Sequence, residues 1–239
     1  MKISLNFINC RWYFLGLFLF VVASILLLII YGKTTCFISL NSYHPYWLNV
    51  FFINYTFMGD GVFAIVFFAL VYFYFKRKQQ GSLLLLSFII SGLAVQLIKN
   101  FINAPRPKLF FEAGQYLYFV DEVSLANNFS FPSGHTATAF AIATVLVLMS
   151  NKNKQLFILL AALLVGYSRI YLAQHFLLDV VIGAVIGTAS GVVSVYFAIN
   201  FNQIRHSVGK MQYLRNNKAA IKITYCYTTC INIFSFYSS

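Results

Sequence analysis

The amino-acid sequence predicts an all-α integral membrane protein, a six-transmembrane-helix bundle. Of its 239 residues, 60% are hydrophobic and only 9% are charged, which is more apolar surface than one soluble core of this size can bury. The apolar residues fall into six runs, and most basic residues lie between those runs on one side. The chain therefore requires lipid as its solvent, where helices satisfy their own backbone groups.

The first apolar run is long enough to cross a bilayer. Residues 12–31 carry no charge, over a length that matches a hydrocarbon core roughly 30 Å thick. The run is too long for the apolar part of a signal peptide, and no small-residue cleavage site follows it, so we expect a retained helix. The further runs are residues 56–75, 83–101, 136–149, 156–172 and 177–198.

The fourth run is short for a membrane span. Its helix can begin at His135, with its outer end inside the protein rather than in lipid. Before the second span, residues 47–57 place Asn49 and Asn54 among aromatic side chains. This pattern favours an interfacial helix that leads into the span.

The basic residues indicate the orientation. When six spans alternate, twelve Lys and Arg residues fall on one side, which the positive-inside rule makes cytoplasmic. They are Lys2, Arg11, Lys76, Arg77, Lys78, Lys152, Lys154, Arg205, Lys210, Arg215, Lys218 and Lys222. The net charge of +12 is then mostly topology and does not indicate nucleic-acid binding. We expect a multi-pass protein of the bacterial inner membrane with both termini in the cytoplasm.

One domain, residues 1–200, is expected to contain all six spans. Residues 201–239 are expected to form a basic cytoplasmic tail, to which the pattern assigns no structure. The outer loop 103–132 is long for a connection in a helical bundle, and such loops are usually functional or disordered. The four cysteines have neither zinc-ligand spacing nor the pattern of a disulfide framework; they are Cys10, Cys36, Cys226 and Cys230.

Three polar clusters lie at the outer ends of the spans. The first contains Lys99, Arg106 and Pro107. Lys99 alone could extend its amine to the interface, as lysines at span ends often do. Arg106 is more informative, because Pro105 and Pro107 stop the helix and hold its planar guanidinium in an extended segment suited to a tetrahedral anion.

The second cluster is Phe-Pro-Ser-Gly-His at residues 131–135, directly before the fourth span. Ser133 is a natural helix N-cap, and Gly134 lets a ligand approach the backbone closely. Free N–H groups and the positive end of the helix dipole would then face an anion. A plain capping motif explains Ser133 but leaves His135 unexplained.

The third cluster joins the fifth and sixth spans. Ser168 and Arg169 end one span, and His175 and Asp179 lie near the start of the next. If the sixth helix begins near His175, a spacing of four puts the imidazole and the carboxylate on one helical face. A carboxylate in that position fixes the histidine tautomer, although an isolated His–Asp pair can equally be a structural hydrogen bond.

Together the three clusters, K-x6-RP, PSGH and SR-x5-H-x3-D, resemble the three-part signature of the type 2 phosphatidic acid phosphatase superfamily. All defining positions are filled in order, and the resemblance covers roughly residues 51–200. It implies that His175 attacks phosphorus, that Asp179 orients His175, and that His135 protonates the leaving oxygen. It also implies no metal or other cofactor. The implied phosphate-binding residues are Lys99, Arg106, Ser133, Gly134 and Arg169.

The resemblance implies a hydrolase that acts on a phosphorylated membrane lipid, with the active site at the periplasmic face. The run Ala-Pro-Arg-Pro-Lys-Leu-Phe-Phe-Glu resembles bacterial lipid A phosphatases, which favours lipid A as the substrate. Undecaprenyl pyrophosphate, phosphatidylglycerol phosphate and phosphatidic acid are the alternatives. A lipid or anion transporter is the non-enzyme alternative, disfavoured because no internal repeat is present. The lipid bilayer and this substrate are the expected partners, with no nucleic acid and no obligate protein partner.

Polar residues outside the clusters receive simpler interpretations. Asp60 could pair with a basic residue or bind the lipid headgroup, and we favour pairing. His44 and His206 are interpreted as surface residues.

Overall fold

The computed structural model describes residues 10–111, 120, 127–149 and 152–201, and no β-strand occurs among them. Short 3-10 turns cover Thr56–Gly59 and Lys152–Lys154, and a π-helical turn, Leu70–Tyr74, continues α3. The α-helices are α1 (Arg11–Leu40), α2 (Tyr46–Tyr55), α3 (Gly61–Ala69), α4 (Lys78–Ile102), α5 (Pro107–Phe110), α6 (Gly134–Met149), α7 (Gln155–Tyr171) and α8 (Leu177–Phe201). The all-helical prediction is therefore confirmed for these residues, while residues 202–239, with His206, lie outside them.

Three of these helices are long and apolar enough to cross a membrane. They are α1, the stretch Lys78–Phe110 that contains α4, and α8. The pair Tyr46–Gly59 and Gly61–Tyr74, bent by 61°, adds a fourth if it is one span. Because α6 and α7 have only 16 and 17 residues, the six-span count stays a prediction.

The second predicted span is divided where α3 begins. The backbone of Asp60 is extended, and its Oδ1 accepts a hydrogen bond from the N–H of Val62 at 2.7 Å. An aspartate in this position caps a new helix, so the span predicted at residues 56–75 contains a helix break at Asp60, and whether it is one span stays a prediction. The helix expected over residues 47–57 is present as α2.

α6 packs mainly against α4 and α7 and lies close to α8, whose small residues allow the approach. A Cβ atom added to Gly187 of α8 would lie only 2.2 Å from the carbonyl oxygen of Ala137 in α6. Small residues allow such close approach of two helix backbones. Nearly every residue of α6 up to Val145 is consequently buried, which places the start of this short helix inside protein, as the sequence predicted.

Candidate active site

The three polar clusters meet at one end of the bundle. The N–H of Ser133, before α6, donates to the carbonyl oxygen of Asp179 in α8 at 3.0 Å. The N–H of His175 donates to the carbonyl oxygen of Arg169, at the end of α7, at 3.1 Å. Arg106, after α4, donates from Nη1 to Oε1 of Gln174 in the same loop as His175. Residues distant in sequence thus form one site.

His175 and Asp179 form a buried pair. The imidazole Nδ1 lies 3.5 Å from Oδ2 of Asp179, and the two side chains are 2% and 5% exposed. The sixth helix begins at Leu177, as predicted, and the expected pairing of the His175 imidazole with the Asp179 carboxylate is present. His175 lies in the preceding loop, where the backbone hydrogen bond to Arg169 positions it.

Asp179 is held by its position in the first turn of α8. Its Oδ2 accepts a hydrogen bond from the N–H of Phe176, the residue before the helix, at 2.9 Å. A carboxylate at the third helical residue that binds this N–H is one half of a capping box. The hydroxyl of the buried Ser130 donates to the same oxygen. One carboxylate therefore caps the helix and faces the imidazole.

Burial is the main reason that the pKa of His175 falls from 6.5 to about 4; the nearby Arg169 adds to the lowering, while Asp179 acts in the opposite direction. The imidazole is then neutral near pH 7 and keeps a nitrogen lone pair. Only a neutral imidazole can act as a nucleophile.

Two arginines lie near the His–Asp pair, and different hydrogen bonds hold each of them in place. Arg169 is 7% exposed, and its Nη1 donates to Oγ1 of Thr56 at 2.7 Å. Its Nε has no hydrogen-bond partner among the described residues. Arg106 is extended, as its flanking prolines predicted, and its Nε donates to the carbonyl oxygen of Asn128 at 3.0 Å. Buried guanidinium donors without a partner are typical of an anion site.

The segment before α6 has the predicted capping geometry. Oγ of Ser133 accepts hydrogen bonds from the N–H and the Oγ1 of Thr136, at 3.4 and 2.8 Å. The hydroxyl hydrogen of Ser133 remains for another acceptor, and the N–H of Gly134, in the first turn, has no partner within the helix. His135 follows with a side chain that is 29% exposed.

Positive charge surrounds His135. Lys99, Arg106 and Arg169 each act electrostatically on its imidazole, as does His175. Lys99 lies in the last turn of α4, so all five basic groups of the predicted site share one volume. This arrangement can bind a tetrahedral dianion and present it to a neutral histidine.

Four supporting residues were not identified from the sequence. Ser130, Gln174 and Thr56 contact Asp179, Arg106 and Arg169, and each carries only a common polar side chain without a diagnostic spacing. His44, expected at the surface, is half-buried, with its ring 4.2 Å from that of Tyr171 and Nε2 2.8 Å from the carbonyl oxygen of Asn41. Through these contacts His44 holds the segment before α2 in place.

Comparison with known proteins supports these observations. The family model described as PAP2 superfamily matches residues 80–203, just over half of the chain. Phosphatidylglycerophosphatase B of Bacillus subtilis is 30% identical over 59% of this chain and 70% of its own length. Lipid A 1-phosphatase of Rhizobium etli is 31% identical over 45% of each chain. The crystal structure of Aquifex aeolicus LpxE matches with 34% identity and a TM-score of 0.59, covering 67% of this chain and 92% of that one.

The fold and these relatives define a membrane-embedded lipid phosphatase. The chain belongs to the PAP2 superfamily, which confirms the family predicted from the three motifs. The match covers less than half of the Rhizobium relative's length.

Proposed function

We propose that the protein is a metal-independent phosphatase that removes a phosphomonoester or pyrophosphate group from a membrane lipid through a phosphohistidine. The observation that carries the proposal is the buried His175, paired with Asp179 at 3.5 Å and close to the cationic side chains of Arg169 and Arg106. A buried nucleophile beside an anion-binding cluster is suited to phosphoryl transfer, which depends mainly on positioning and charge stabilisation.

In the first step, the free ring nitrogen of His175 forms a bond to phosphorus, and the bond from phosphorus to the lipid oxygen breaks. His135 gives its proton to that oxygen, so the lipid leaves as an alcohol or, from a pyrophosphate, as a singly protonated phosphate ester. Asp179 stabilises the positive charge that develops on the imidazole of His175. Lys99, Arg106 and Arg169, with the Ser133 hydroxyl and the Gly134 N–H, bind the equatorial oxygens.

In the second step, His135 takes a proton from water, and the water oxygen attacks phosphorus. The bond between phosphorus and His175 breaks, inorganic phosphate leaves, and both histidines return to their starting states. The cationic side chains supply the charge that metal ions supply in two-metal phosphatases. Activity should therefore persist in a metal chelator, and its loss there would contradict this part of the proposal.

The proposed topology has six spans, cytoplasmic termini and a periplasmic site in the inner membrane. The distribution of basic residues supports it, as does the position of all three clusters at one end of the bundle. Reporter fusions after residue 150 and at residue 239 test it, since both should report a cytoplasmic location. A periplasmic signal from either fusion would overturn the orientation.

Lipid A is the favoured substrate, supported by the resemblance of the Pro-Arg-Pro-Lys segment to bacterial lipid A phosphatases and by the Rhizobium relative. The Bacillus relative supports phosphatidylglycerol phosphate, and undecaprenyl pyrophosphate is the third candidate. Purified protein assayed against these lipids, with chelator present, ranks them by kcat/KM. His175→Ala should abolish phosphate release while the protein still inserts, and retained release would refute the phosphohistidine mechanism.

A further inference from the structure

A fourth element reaches the site from outside the three motifs and outside the residues that the family model matches. The 3-10 turn Thr56–Gly59 and the following Asp60 precede α3, whereas the family match begins at residue 80. Oδ2 of Asp60 lies 3.7 Å from Nε2 of His135. The turn therefore brings a second carboxylate to the second histidine of the site.

The close approach depends on a glycine. A Cβ atom added to Gly59 would lie 2.7 Å from the carbonyl oxygen of His135 and 2.9 Å from its Cβ. Real Cβ atoms do not approach other atoms so closely, so only glycine lets the turn lie against the first turn of α6. Thr56, at the other end of the turn, accepts the hydrogen bond from Arg169 at 2.7 Å, which attaches the turn to the site at a second point.

We infer that Asp60 is the positioning residue of His135, and this inference rests on the proposed function. In the imidazolium form both ring nitrogens carry hydrogen. Asp60 lies at ion-pair distance from Nε2 and leaves the N–H of Nδ1 for the leaving oxygen. The carboxylate thus orients the ring and favours the protonated form that a general acid needs.

The other charged groups around His135 are basic. Lys99 of α4, Arg106 of the following loop, Arg169 of α7 and His175 of the α7–α8 loop all act on the imidazole, and each disfavours a second positive charge. Asp60, on the turn before α3, is the carboxylate at ion-pair distance from His135 among residues 10–111, 127–149 and 152–201. The site then contains two His–Asp pairs, one for the nucleophile and one for the acid.

The loss of activity expected for Asp60→Asn depends on how exposed the His135–Asp60 pair is. The side chains of His135 and Asp60 are 29% and 38% exposed, so water screens part of their attraction. General acid catalysis contributes about 10²–10⁴-fold in total. Because Asp60→Asn leaves the imidazole itself in place, we expect this variant to lower kcat by about tenfold, well below the loss of the acid itself.

The variant Asp60→Asn removes the negative charge of Asp60 but keeps its ability to cap a helix. Asp60 also caps α3 through the N–H of Val62, and asparagine caps a helix about as well as aspartate. The thermal unfolding temperature in detergent should therefore be unchanged. Asp60→Glu, which keeps the carboxylate, should recover most of the activity that Asp60→Asn loses.

The decisive experiment compares two lipids that differ only in the leaving group, dioctanoyl phosphatidic acid and dioctanoylglycerol pyrophosphate. The first must expel an alcohol and needs a proton from the acid, while the second expels a phosphate ester and needs it far less. For Asp60→Asn we expect about a tenfold loss of kcat with phosphatidic acid and less than about threefold with the pyrophosphate. The alkaline limb of the pH–rate profile with phosphatidic acid should also move to lower pH.

Asp179→Asn is the matched variant, because Asp179 acts on the nucleophile that both lipids use. Its loss should be equal for the two lipids. Equal losses for Asp60→Asn with an unchanged pH profile would overturn the inference and indicate only a general effect on the site, such as weaker support of Arg169. If the wild-type protein hydrolyses neither these lipids nor the panel above, the proposed function fails instead.

Discussion

Replacing Gly183 of α8 by alanine should disable the site without touching any group that reacts. A Cβ atom at this position would lie 2.6 Å from the carbonyl oxygen of Ser133 and 3.1 Å from Cβ of Thr136. The carbonyl must retreat by about 0.8 Å to reach ordinary contact distance. Because the N–H of Ser133 is bonded to Asp179 one turn earlier in α8, this shift separates the Ser-Gly-His segment from the His175–Asp179 pair.

For Gly183→Ala we expect a loss of stability and a loss of catalytic rate. Inserting a methyl group into a packed helix interface costs about 1–3 kcal/mol. A displacement approaching 1 Å in a catalytic site lowers the rate by about 10²-fold, so we expect kcat to fall by about 10–100-fold, with a smaller change in KM.

The assay pairs phosphate release from a short-chain lipid with thermal unfolding in the same detergent. Gly92→Ala is the matched control, because nothing lies within 4 Å of a Cβ added there and alanine is a better helix former than glycine. The control should keep wild-type activity and stability. If Gly183→Ala matched this control in both measurements, the close contact between α8 and α6 could not be what aligns the site.

Other changes test the reactive groups. Asp179→Asn should lower kcat by about 10²–10⁴-fold, since the amide cannot stabilise the charge on His175 as the carboxylate does; steady-state kinetics measures the loss. Arg169→Lys removes the planar guanidinium whose Nη1 binds Thr56. Because lysine cannot make a bidentate contact with phosphate, the inhibition constant of inorganic phosphate should rise at least about tenfold. With the pKa of His175 lowered to about 4 by burial, the histidine stays neutral as pH falls through 6.5. Phosphohistidine formation in rapid-quench experiments should therefore lose no rate at that point, whereas a twofold or greater loss near pH 6.5 would show an unburied nucleophile.

Much of the helical pattern could be predicted because each span in lipid must be a continuous apolar run long enough to cross the bilayer. The last span, predicted over residues 177–198, is observed as Leu177–Phe201, and the fifth, predicted over residues 156–172, is Gln155–Tyr171. The division at Asp60 was not predicted, because the apolar composition continues across it. A local hydrogen bond to Val62 ends one helix and begins another there, and hydrophobicity carries no signal for such a bond.

The residues of the candidate site could be named from the sequence because phosphate chemistry needs unusual groups at span ends, where apolar residues would otherwise stand. Basic residues beside prolines and a histidine after Ser-Gly are conspicuous in such a chain. Ser130 and Gln174 were not found, since their roles come from Asp179 and Arg106, which approach them only after the loops fold over the helix ends.

The sequence by itself determined the solvent, the helical class and the family, since composition and short motifs depend on neighbouring residues alone. Only the tertiary structure decided that Gly183 is crowded while Gly92 has open space around it. It also brought Asp60 to His135. These are distances between different helices, set by how closely their backbones pack, and no local pattern encodes them.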